Sequence, residues 1–485
     1  MSSTRRKFLA GGAAAAGLAL GGGAVKAAEA LKTMTGKLKY TDYTPFAPWV
    51  AFFGGKSTGM ITALDLGTGT AMAYASVRWL GDPYGIPHHV AAMPTQVTHG
   101  HSDARKGFVA FINTQISSNI YKVEYLGPFS KDKLKTVPKW GSPEFKFPAR
   151  NFAITNVSRR TGVGAGVHIT VSPDAKWMTV TDGQKDIAAV FDAKTLDVVK
   201  VLRFNFDPTA QAVSMEIVRP LATGMYELDG TKGNKIPKEV SMGEEDKAPK
   251  DMPVCDAMCF DPRGKWATVS FRRLGAISVI DTDTWEMVAV VSTAEGQKNP
   301  TQVKKGVFKF ASIKSTMHQQ GFTPDGNFLM GCNNVIQNNV GVIDSSNHAD
   351  PTKWKTVTFI KGWGRFLPFH MGFRPPNGAK LYMTSWSHQK HGKDSAIAVI
   401  DTKKWEIMGF IPVGPDMHTP QCTYDGKWVT AVHGGWQGMS YASFIIADCE
   451  TDTLVARMPM QMSPHGHVIV PHTLEDLKFS HMTTV

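Results

Sequence analysis

Histidine recurs at one position of a repeating pattern in this sequence. Four of them stand a few residues ahead of an Asp, Asn or Pro turn: His168, His318, His370 and His418. Asp256 takes this position in one further copy, and His465 begins the corresponding segment of the last copy. Imidazole binds copper, zinc, iron or nickel, and a carboxylate adds a harder oxygen ligand. With no thiolate in the set, the pattern predicts a copper centre of about two or three ions.

Two histidine pairs upstream compete for the same position in the first copy. His88-His89 precedes that copy, whereas His99 and His101 lie nearer to its turn at 103–106. The family resemblance described below favours His88 and His89. Among the other histidines, His433 and His467 could be outer partners that orient the ligands. The alternative for the whole set is a channel mouth where polar residues gather around water, but recurrence in register favours metal.

The elements that must position these residues follow from turn signals. Five copies of one turn precede an apolar strand, beginning at Pro173-Asp174, Pro262-Arg263-Gly264, Pro324-Asp325-Gly326, Pro376-Asn377-Gly378 and Tyr424-Asp425-Gly426. Asp-Gly and Asn-Gly accept positive φ and favour tight hairpins. After each, an alternating strand ends in Asp and a second turn, at Asp192, Asp281 and Asp401, and in weaker copies at Asp65, Asp344 and Asp448.

Each unit therefore consists of four antiparallel strands, which is the blade of a propeller. About seven such units predict an all-β, seven-bladed β-propeller. Because the first strand of each blade lines the central channel, the residues ahead of the first turn converge on one axis. Strands in 60–79 are expected to pair with a C-terminal strand ending near Val485 and to close the ring. The segments 126–151 and 206–250 break the period and are predicted to be inserted loops, as lids or as contacts of a homodimer.

The first thirty residues have the order of a targeting peptide. Arg5-Arg6 is followed by a short apolar run and by a small-residue cleavage site at 28–30. We interpret 1–30 as a twin-arginine signal peptide and not a membrane anchor, and 31–485 as one propeller domain. This organisation predicts a periplasmic protein that is exported folded.

The net charge and the cysteine content limit the classes of binding partner and of metal ligand that the sequence predicts. The net charge is +12, and it becomes +9 without 1–30, which holds four basic residues and one acidic residue. The sequence has no cluster of Lys and Arg with interleaved aromatic residues, which nucleic-acid binding would favour. The basic charge therefore predicts that the protein binds a small anion or an acidic redox partner, and the alternative is a basic surface that is simply solvated. The five cysteines form no disulfide framework, and buried thiols are a better interpretation of Cys255 and Cys259 than ligands.

Two motifs carry a resemblance to a known family. His88-His89 followed by the strand 107–113, and Val413-Gly414-Pro415-Asp416-Met417-His418 before an Asp-Gly turn, resemble the propeller domain of nitrous oxide reductase. No Cys-rich copper motif of that enzyme's second domain is found, and Asp256 stands where its site has histidine. Both departures resemble thiocyanate dehydrogenase, a copper propeller with histidine ligands and one aspartate.

That resemblance implies an activity and two further residues. Thiocyanate dehydrogenases oxidise thiocyanate to cyanate and sulfur and pass two electrons to an acceptor such as cytochrome c. Lys56, after Gly54-Gly55, matches the family's pocket lysine, with a surface lysine as the alternative. Glu227 is chosen for its glutamate over three other candidates, Glu239, Glu244 and Glu245. A copper propeller acting on nitrous oxide or another small molecule, and a non-enzymatic metal-binding propeller, are the alternative functions.

Overall fold

The computed structural model describes residues 43–46, 49–56, 58–67, 69–78, 80–82, 85–97, 105–114, 119–125, 152–157, 168–183, 185–218, 251–334, 336–387, 394–415, 417–433, 442–460 and 464–471. The predicted signal peptide, Glu227 and its three alternatives, His99 and His101 lie outside these residues.

The described elements are almost all strands. The first twelve are β1 (Trp49–Gly55), β2 (Met60–Asp65), β3 (Thr70–Ser76), β4 (Pro87–Val97), β5 (Arg105–Thr114), β6 (Ile120–Tyr125), β7 (Phe152–Val157), β8 (Ile169–Val171), β9 (Trp177–Asp182), β10 (Ile187–Asp192), β11 (Val198–Asp207) and β12 (Ala212–Val218). The next ten are β13 (Cys255–Phe260), β14 (Trp266–Phe271), β15 (Ala276–Asp281), β16 (Met287–Ser292), β17 (Thr301–Lys304), β18 (Val307–Lys309), β19 (Gln320–Phe322), β20 (Phe328–Asn333), β21 (Asn339–Asp344) and β22 (Lys355–Ile360).

The last nine strands complete the chain. They are β23 (Phe366–Phe373), β24 (Lys380–Ser387), β25 (Ser395–Asp401), β26 (Glu406–Gly414), β27 (Met417–Cys422), β28 (Trp428–His433), β29 (Ala442–Asp448), β30 (Thr453–Met460) and β31 (Pro464–Pro471). Three short 3-10 helices accompany them, Thr44–Phe46, Arg272–Leu274 and Pro351–Lys353. Within the described ranges, no helix is long and apolar enough to cross a membrane.

The strands form antiparallel sheets that confirm the all-β propeller with four-stranded blades. Six sheets have four strands each: β3-β2-β1-β31, β4-β5-β6-β7, β13-β14-β15-β16, β19-β20-β21-β22, β23-β24-β25-β26 and β27-β28-β29-β30. A further sheet has seven strands, in the order β17-β18-β12-β11-β10-β9-β8. There the expectation of four strands is wrong, because β12 and the β17–β18 hairpin extend the outer edge. Part of the predicted insert 206–250 is therefore strand.

The innermost strands of these sheets form a closed ring. Along it, β4 contacts β8, β8 contacts β13, and the contacts continue through β19, β23 and β27 to β31, which returns to β4. Apolar clusters fill the space between neighbouring sheets; one of them packs Phe204 against Phe271, for example. Burying the sheet faces against each other leaves the start of each inner strand at the axis.

The ring closes through a strand from each end of the chain. β31 pairs antiparallel with β1, from Trp49 opposite Pro471 to Gly55 opposite Pro464. The expected closure by a C-terminal strand is thus present, but its partner lies upstream of 60–79; the predicted strand end near Val485 lies outside the described residues. The strands within 60–79 are the outer two of that sheet.

The predicted turns have the chemistry that their sequences require. Asp281 accepts hydrogen bonds from the backbone N–H groups of Asp283 and Thr284, at 2.8 and 3.2 Å. Four residues after this Asp, Trp285 has a φ of 60° and bonds back to the Asp281 carbonyl. Leu196, Trp405 and Asp452 repeat this left-handed position in other sheets. The turn therefore ends the third strand and begins the fourth in the same way in four sheets.

Candidate metal centre

Each inner strand contains one or two of the residues predicted from the sequence, or has one within two residues of its start. These are His88 and His89 in β4, His168 before β8, Asp256 in β13, His318 before β19, His370 in β23, His418 in β27 and His465 in β31. All eight side chains are buried, with at most 4% of each residue exposed. The contact ring of the inner strands brings them to one place on the axis.

Bulges in the inner strands direct these side chains. The pairing register shifts at the site residues, between Pro87 and Val90, Cys255 and Met258, Pro368 and Met371, and His418 and Pro420. In the β1–β31 pair the shift spans the segment of β31 that contains His465. A bulge inserts an unpaired residue, bends the strand and re-aims the side chain. Sequence reasoning placed the residues on these strands, but gave no sign of the bulges.

The imidazoles are in direct contact. Ring centroids lie 4.1 Å apart for His88 and His465, 4.1 Å for His418 and His465, 4.4 Å for His89 and His168, and 5.2 Å for His318 and His370. Two groups have ligand atoms that all lie within 4.8 Å of one another: His88, His89 and His465, and His168, His318 and His370. Such spacing lets three imidazoles of one group reach a common ion.

Asp256 lies behind two of these histidines. Its carboxylate oxygens are 2.6 Å from Nδ1 of His318 and 3.6 Å from Nδ1 of His168. Arg272, at the end of the neighbouring strand β14, approaches the same carboxylate at 3.4 Å and Nδ1 of His318 at 2.8 Å. A carboxylate that accepts from Nδ1–H orients the ring and leaves the Nε2 lone pair for a metal ion. Because a guanidinium only donates, Nδ1 of His318 either donates to Asp256 or accepts from Arg272, depending on its tautomer. Arg272 was not expected from the sequence; its only signal is a charged residue directly after a buried strand.

The electrostatics keep the imidazoles neutral and the carboxylate charged. Burial lowers the pKa of His318 to about 4, although the charge of Asp256 opposes this shift. Burial also lowers the pKa of His89, His370 and His465 well below the usual value for histidine. For Asp256, burial raises the pKa, but the positive charge of Arg272, together with the interactions with His318 and His168, outweighs burial and holds the pKa below its usual range. Neutral imidazole is the form that binds metal.

Several buried ring nitrogens make no hydrogen bond to any described residue. They are Nε2 of His168, Nε2 of His318, both ring nitrogens of His370, and Nδ1 of His89 and His465. Buried polar atoms in proteins nearly always have a partner, so a group of six such nitrogens calls for an explanation. A neutral imidazole has a lone pair on one ring nitrogen and a hydrogen on the other, so a metal ion would accept one lone pair from each of these rings. The residues present therefore fit a bound transition metal.

Lys56 borders the histidines. It follows β1 directly and is half-buried, and its charge contributes to the lowered pKa of His465. This position allows its ammonium group to act on an anion at the axis. His467, by contrast, lies apart from the ring nitrogens of the centre: its Nε2 contacts the Thr430 hydroxyl at 2.9 Å and its ring packs against Phe444.

The cysteines are not part of the centre. Cys255, Cys259, Cys332 and Cys449 are buried and Cys422 is half-buried, and all five are free thiols. Burial raises the pKa of Cys259 to about 12, and the pKa of Cys255 is also well above its usual value. A thiol rather than a thiolate is a poor metal ligand. The interpretation of Cys255 and Cys259 as buried thiols is confirmed.

A closed ring of antiparallel sheets around a histidine-lined axis defines this chain as a β-propeller protein with a candidate metal centre. No family model and no curated protein matches it. A proposed 6-phosphogluconolactonase from Bacteroides fragilis is 12% identical, with a TM-score of 0.50, over 87% of this chain and 98% of its own. Because the identity is low, this likeness supports the propeller fold alone.

Two other solved structures are similar to this chain with lower TM-scores. Apo AztD from Citrobacter koseri is 10% identical with a TM-score of 0.46, over 87% of this chain and 98% of its own. Dihydro-heme d1 dehydrogenase NirN in complex with DHE is 15% identical with a TM-score of 0.47, over 89% of this chain and 77% of its own.

Proposed function

We propose that this protein is a seven-bladed, periplasmic copper oxidoreductase that oxidises thiocyanate to cyanate and sulfur. The observation that carries the proposal is the buried cluster of seven imidazoles and one carboxylate at the start of the inner strands. Imidazole-rich, thiolate-free sites suit copper, and two groups of three histidines have room for more than one ion. The proposed seven blades are the six four-stranded sheets and the seven-stranded sheet.

Copper would supply a Lewis acid and an acceptor for the two electrons of the reaction. The protein's own residues would bind the substrate and orient the histidine ligands. Lys56 holds the thiocyanate anion at the axis, and Glu227 takes the first of the two protons that the attacking water loses, the second passing to solvent. Asp256 and Arg272 fix the rings of His168 and His318. The two electrons then pass to an external acceptor of the cytochrome c type.

The basic charge and the targeting segment agree with this role. A net charge of +9 without residues 1–30 raises the local concentration of a small anion such as thiocyanate near the protein. The twin-arginine segment implies export in the folded state, which suits a protein whose metal must be loaded under control. Fractionation of cells that express a variant with Arg5→Lys and Arg6→Lys tests the location, since the precursor should remain in the cytoplasm.

The decisive experiment measures copper per chain beside thiocyanate-dependent reduction of cytochrome c. Wild-type protein should hold about two or three copper ions and show turnover. His370→Ala should lose copper and activity, whereas His348→Ala, which removes a half-buried histidine from the turn after β21, should keep both. Zinc alone, or no metal after copper reconstitution, would refute the copper centre. Full copper without thiocyanate turnover would refute the substrate, and a nitrous oxide assay then tests the nearest alternative.

A further inference from the structure

Small polar side chains lie directly behind the bulged inner strands. A bulge frees backbone N–H groups from the ladder, and these must find other acceptors. Second-strand side chains accept backbone N–H groups at three bulges: Asn113 from His89 at 2.9 Å, Ser270 from Ala257 at 2.9 Å, and Thr384 from His370 at 3.3 Å. Thr181 does the same for His168 at 3.4 Å, directly before β8, where the pairing with β9 is regular. The ligand positions are therefore held from behind by a second layer of residues.

Two of these hydroxyls also reach the next sheet of the ring. Thr181 donates its hydroxyl hydrogen to the carbonyl of Asp256, and Ser270 lies 3.3 Å from the carbonyl of His318. A hydroxyl has one hydrogen and two lone pairs, so it can accept from one strand and donate to the next. Thr181 thus connects the backbones of His168 and Asp256, two predicted site residues from neighbouring sheets. Nδ1 of His168 is itself 3.1 Å from the Asp256 carbonyl.

Thr179 provides an internal comparison on the same strand. It lies two residues before Thr181 in β9, so both side chains share one face of the sheet. Both are fully buried. The Thr179 hydroxyl, however, makes no hydrogen bond to any residue in the described part of the chain. Replacing either threonine by valine keeps nearly the same volume, so the two substitutions differ mainly in whether a hydrogen bond is lost.

We propose that Thr181 is a positioning residue of the metal centre, which sets the distance between His168 and Asp256 by clamping the two inner strands. The inference rests on the proposed copper centre. Ser270 performs the same function between β13 and His318. Without the Thr181 hydroxyl, the backbone N–H of His168 and the carbonyl of Asp256 each lose a partner, and the ligand rings shift while the sheets stay packed.

The test compares Thr181→Val, Thr179→Val and Thr181→Ser in the full-length protein. Copper affinity is measured by competition with a chelator, the copper(II) geometry by electron paramagnetic resonance, and stability by thermal unfolding. Thr181→Val should weaken the affinity of at least one copper by about tenfold or more and change its spectrum, the usual effect of removing an outer partner of a ligand. Thr179→Val and Thr181→Ser should match the wild type.

Each outcome decides a different point. Equal copper affinity and spectra for Thr181→Val and Thr179→Val would overturn the positioning role while leaving the copper centre in place. A wild-type protein that binds no copper would overturn the proposed function, and this inference with it. Should Thr181→Val fail to fold, Ser270→Ala removes the equivalent clamp, and an unchanged affinity in that variant would overturn the proposal.

Discussion

At the scale of single residues, the centre depends on keeping imidazoles neutral inside the protein. Burial lowers the pKa of these rings, and a low pKa leaves their lone pairs available to metal at neutral pH. The buried carboxylate of Asp256 is balanced by the guanidinium of Arg272. A buried carboxylate without such a partner would be protonated instead. The Asp256–Arg272 pair therefore belongs to the ligand arrangement, although only Asp256 was visible in the sequence pattern.

Substitutions of Lys56 distinguish a loss of catalysis from a loss of metal binding. Because Lys56 is proposed to hold the thiocyanate anion and not copper, Lys56→Ala should keep its copper and its fold. Turnover should fall about a hundredfold, the scale expected on losing a positioned charge-stabilising group. Lys56→Arg keeps the charge but not the shape, and should restore little. Steady-state thiocyanate oxidation and copper content are measured for both variants, with the exposed Lys361→Ala as control. Near-normal turnover in Lys56→Ala would place the residue outside the site.

Asp186 gives the fold a pH dependence of its own. Burial raises its pKa from 3.8 to about 8, so the folded protein keeps this proton between pH 4 and pH 8, where the unfolded chain has lost it. Its contribution to stability is therefore complete at low pH and is lost as the pH rises through this window, by up to about 1.4 kcal/mol per pH unit.

Asp186→Asn should remove this dependence. Asparagine cannot ionise, it can still accept the hydrogen bond that Cys255 N–H donates to Oδ1 at 2.8 Å, and it tolerates the left-handed φ of 52° at this position. The free energy of unfolding of the variant, relative to wild type, should rise between pH 5 and pH 8. Denaturant unfolding at both pH values measures it, and a difference that does not change with pH would contradict the assignment.

At the scale of elements, the sequence predicted what local chemistry determines. Asp-Gly turns, Asp-capped turns and alternating strands are visible in short windows, so the blade and the position of the histidines followed from them. The bulges were not predictable, because pairing register depends on the partner strand. The added β17–β18 hairpin and Arg272 were missed for a related reason, because each makes its contact with residues distant in sequence. The hairpin pairs with β12 of an earlier sheet, and Arg272 contacts His318 of the next sheet.

Gly466 tests the contact between two inner strands. A Cβ at this position would lie 2.8 Å from Cα and from Nδ1 of His89, and 3.0 Å from the carbonyl oxygen of His88. Backbone atoms move little, so Gly466→Ala should push β31 away from β4 and separate the first histidine group. We expect loss of at least one copper ion and a destabilisation of about 1–3 kcal/mol. Copper analysis and thermal unfolding measure both; full copper occupancy would show that the strands can separate without disturbing the ligands.

At the scale of the whole molecule, the candidate centre is the one place where all the inner strands meet. In the described residues, the main contacts between sheets run from each sheet to its neighbours in the ring, and the pair β1 and β31 joins the two ends of the chain. A metal bound by residues from several inner strands would connect sheets that are not neighbours in the ring. The proposed centre therefore has a structural effect in addition to a chemical one, because opening the ring must also break metal–ligand bonds.

Copper should consequently stabilise the folded chain by mass action. At free copper a thousandfold above the dissociation constant, one site that exists only in the folded protein adds about 4 kcal/mol to the free energy of unfolding. Plotted against the natural logarithm of the free copper concentration, the free energy of unfolding should rise with a slope of RT for each ion released on unfolding. The slope therefore gives the number of bound ions independently of elemental analysis. Unfolding is measured in copper buffers, with His370→Ala as the variant that should lose the gain and His348→Ala as the one that should retain it. Equal stability of the wild type with copper and with excess chelator would mean that no metal bridges these sheets.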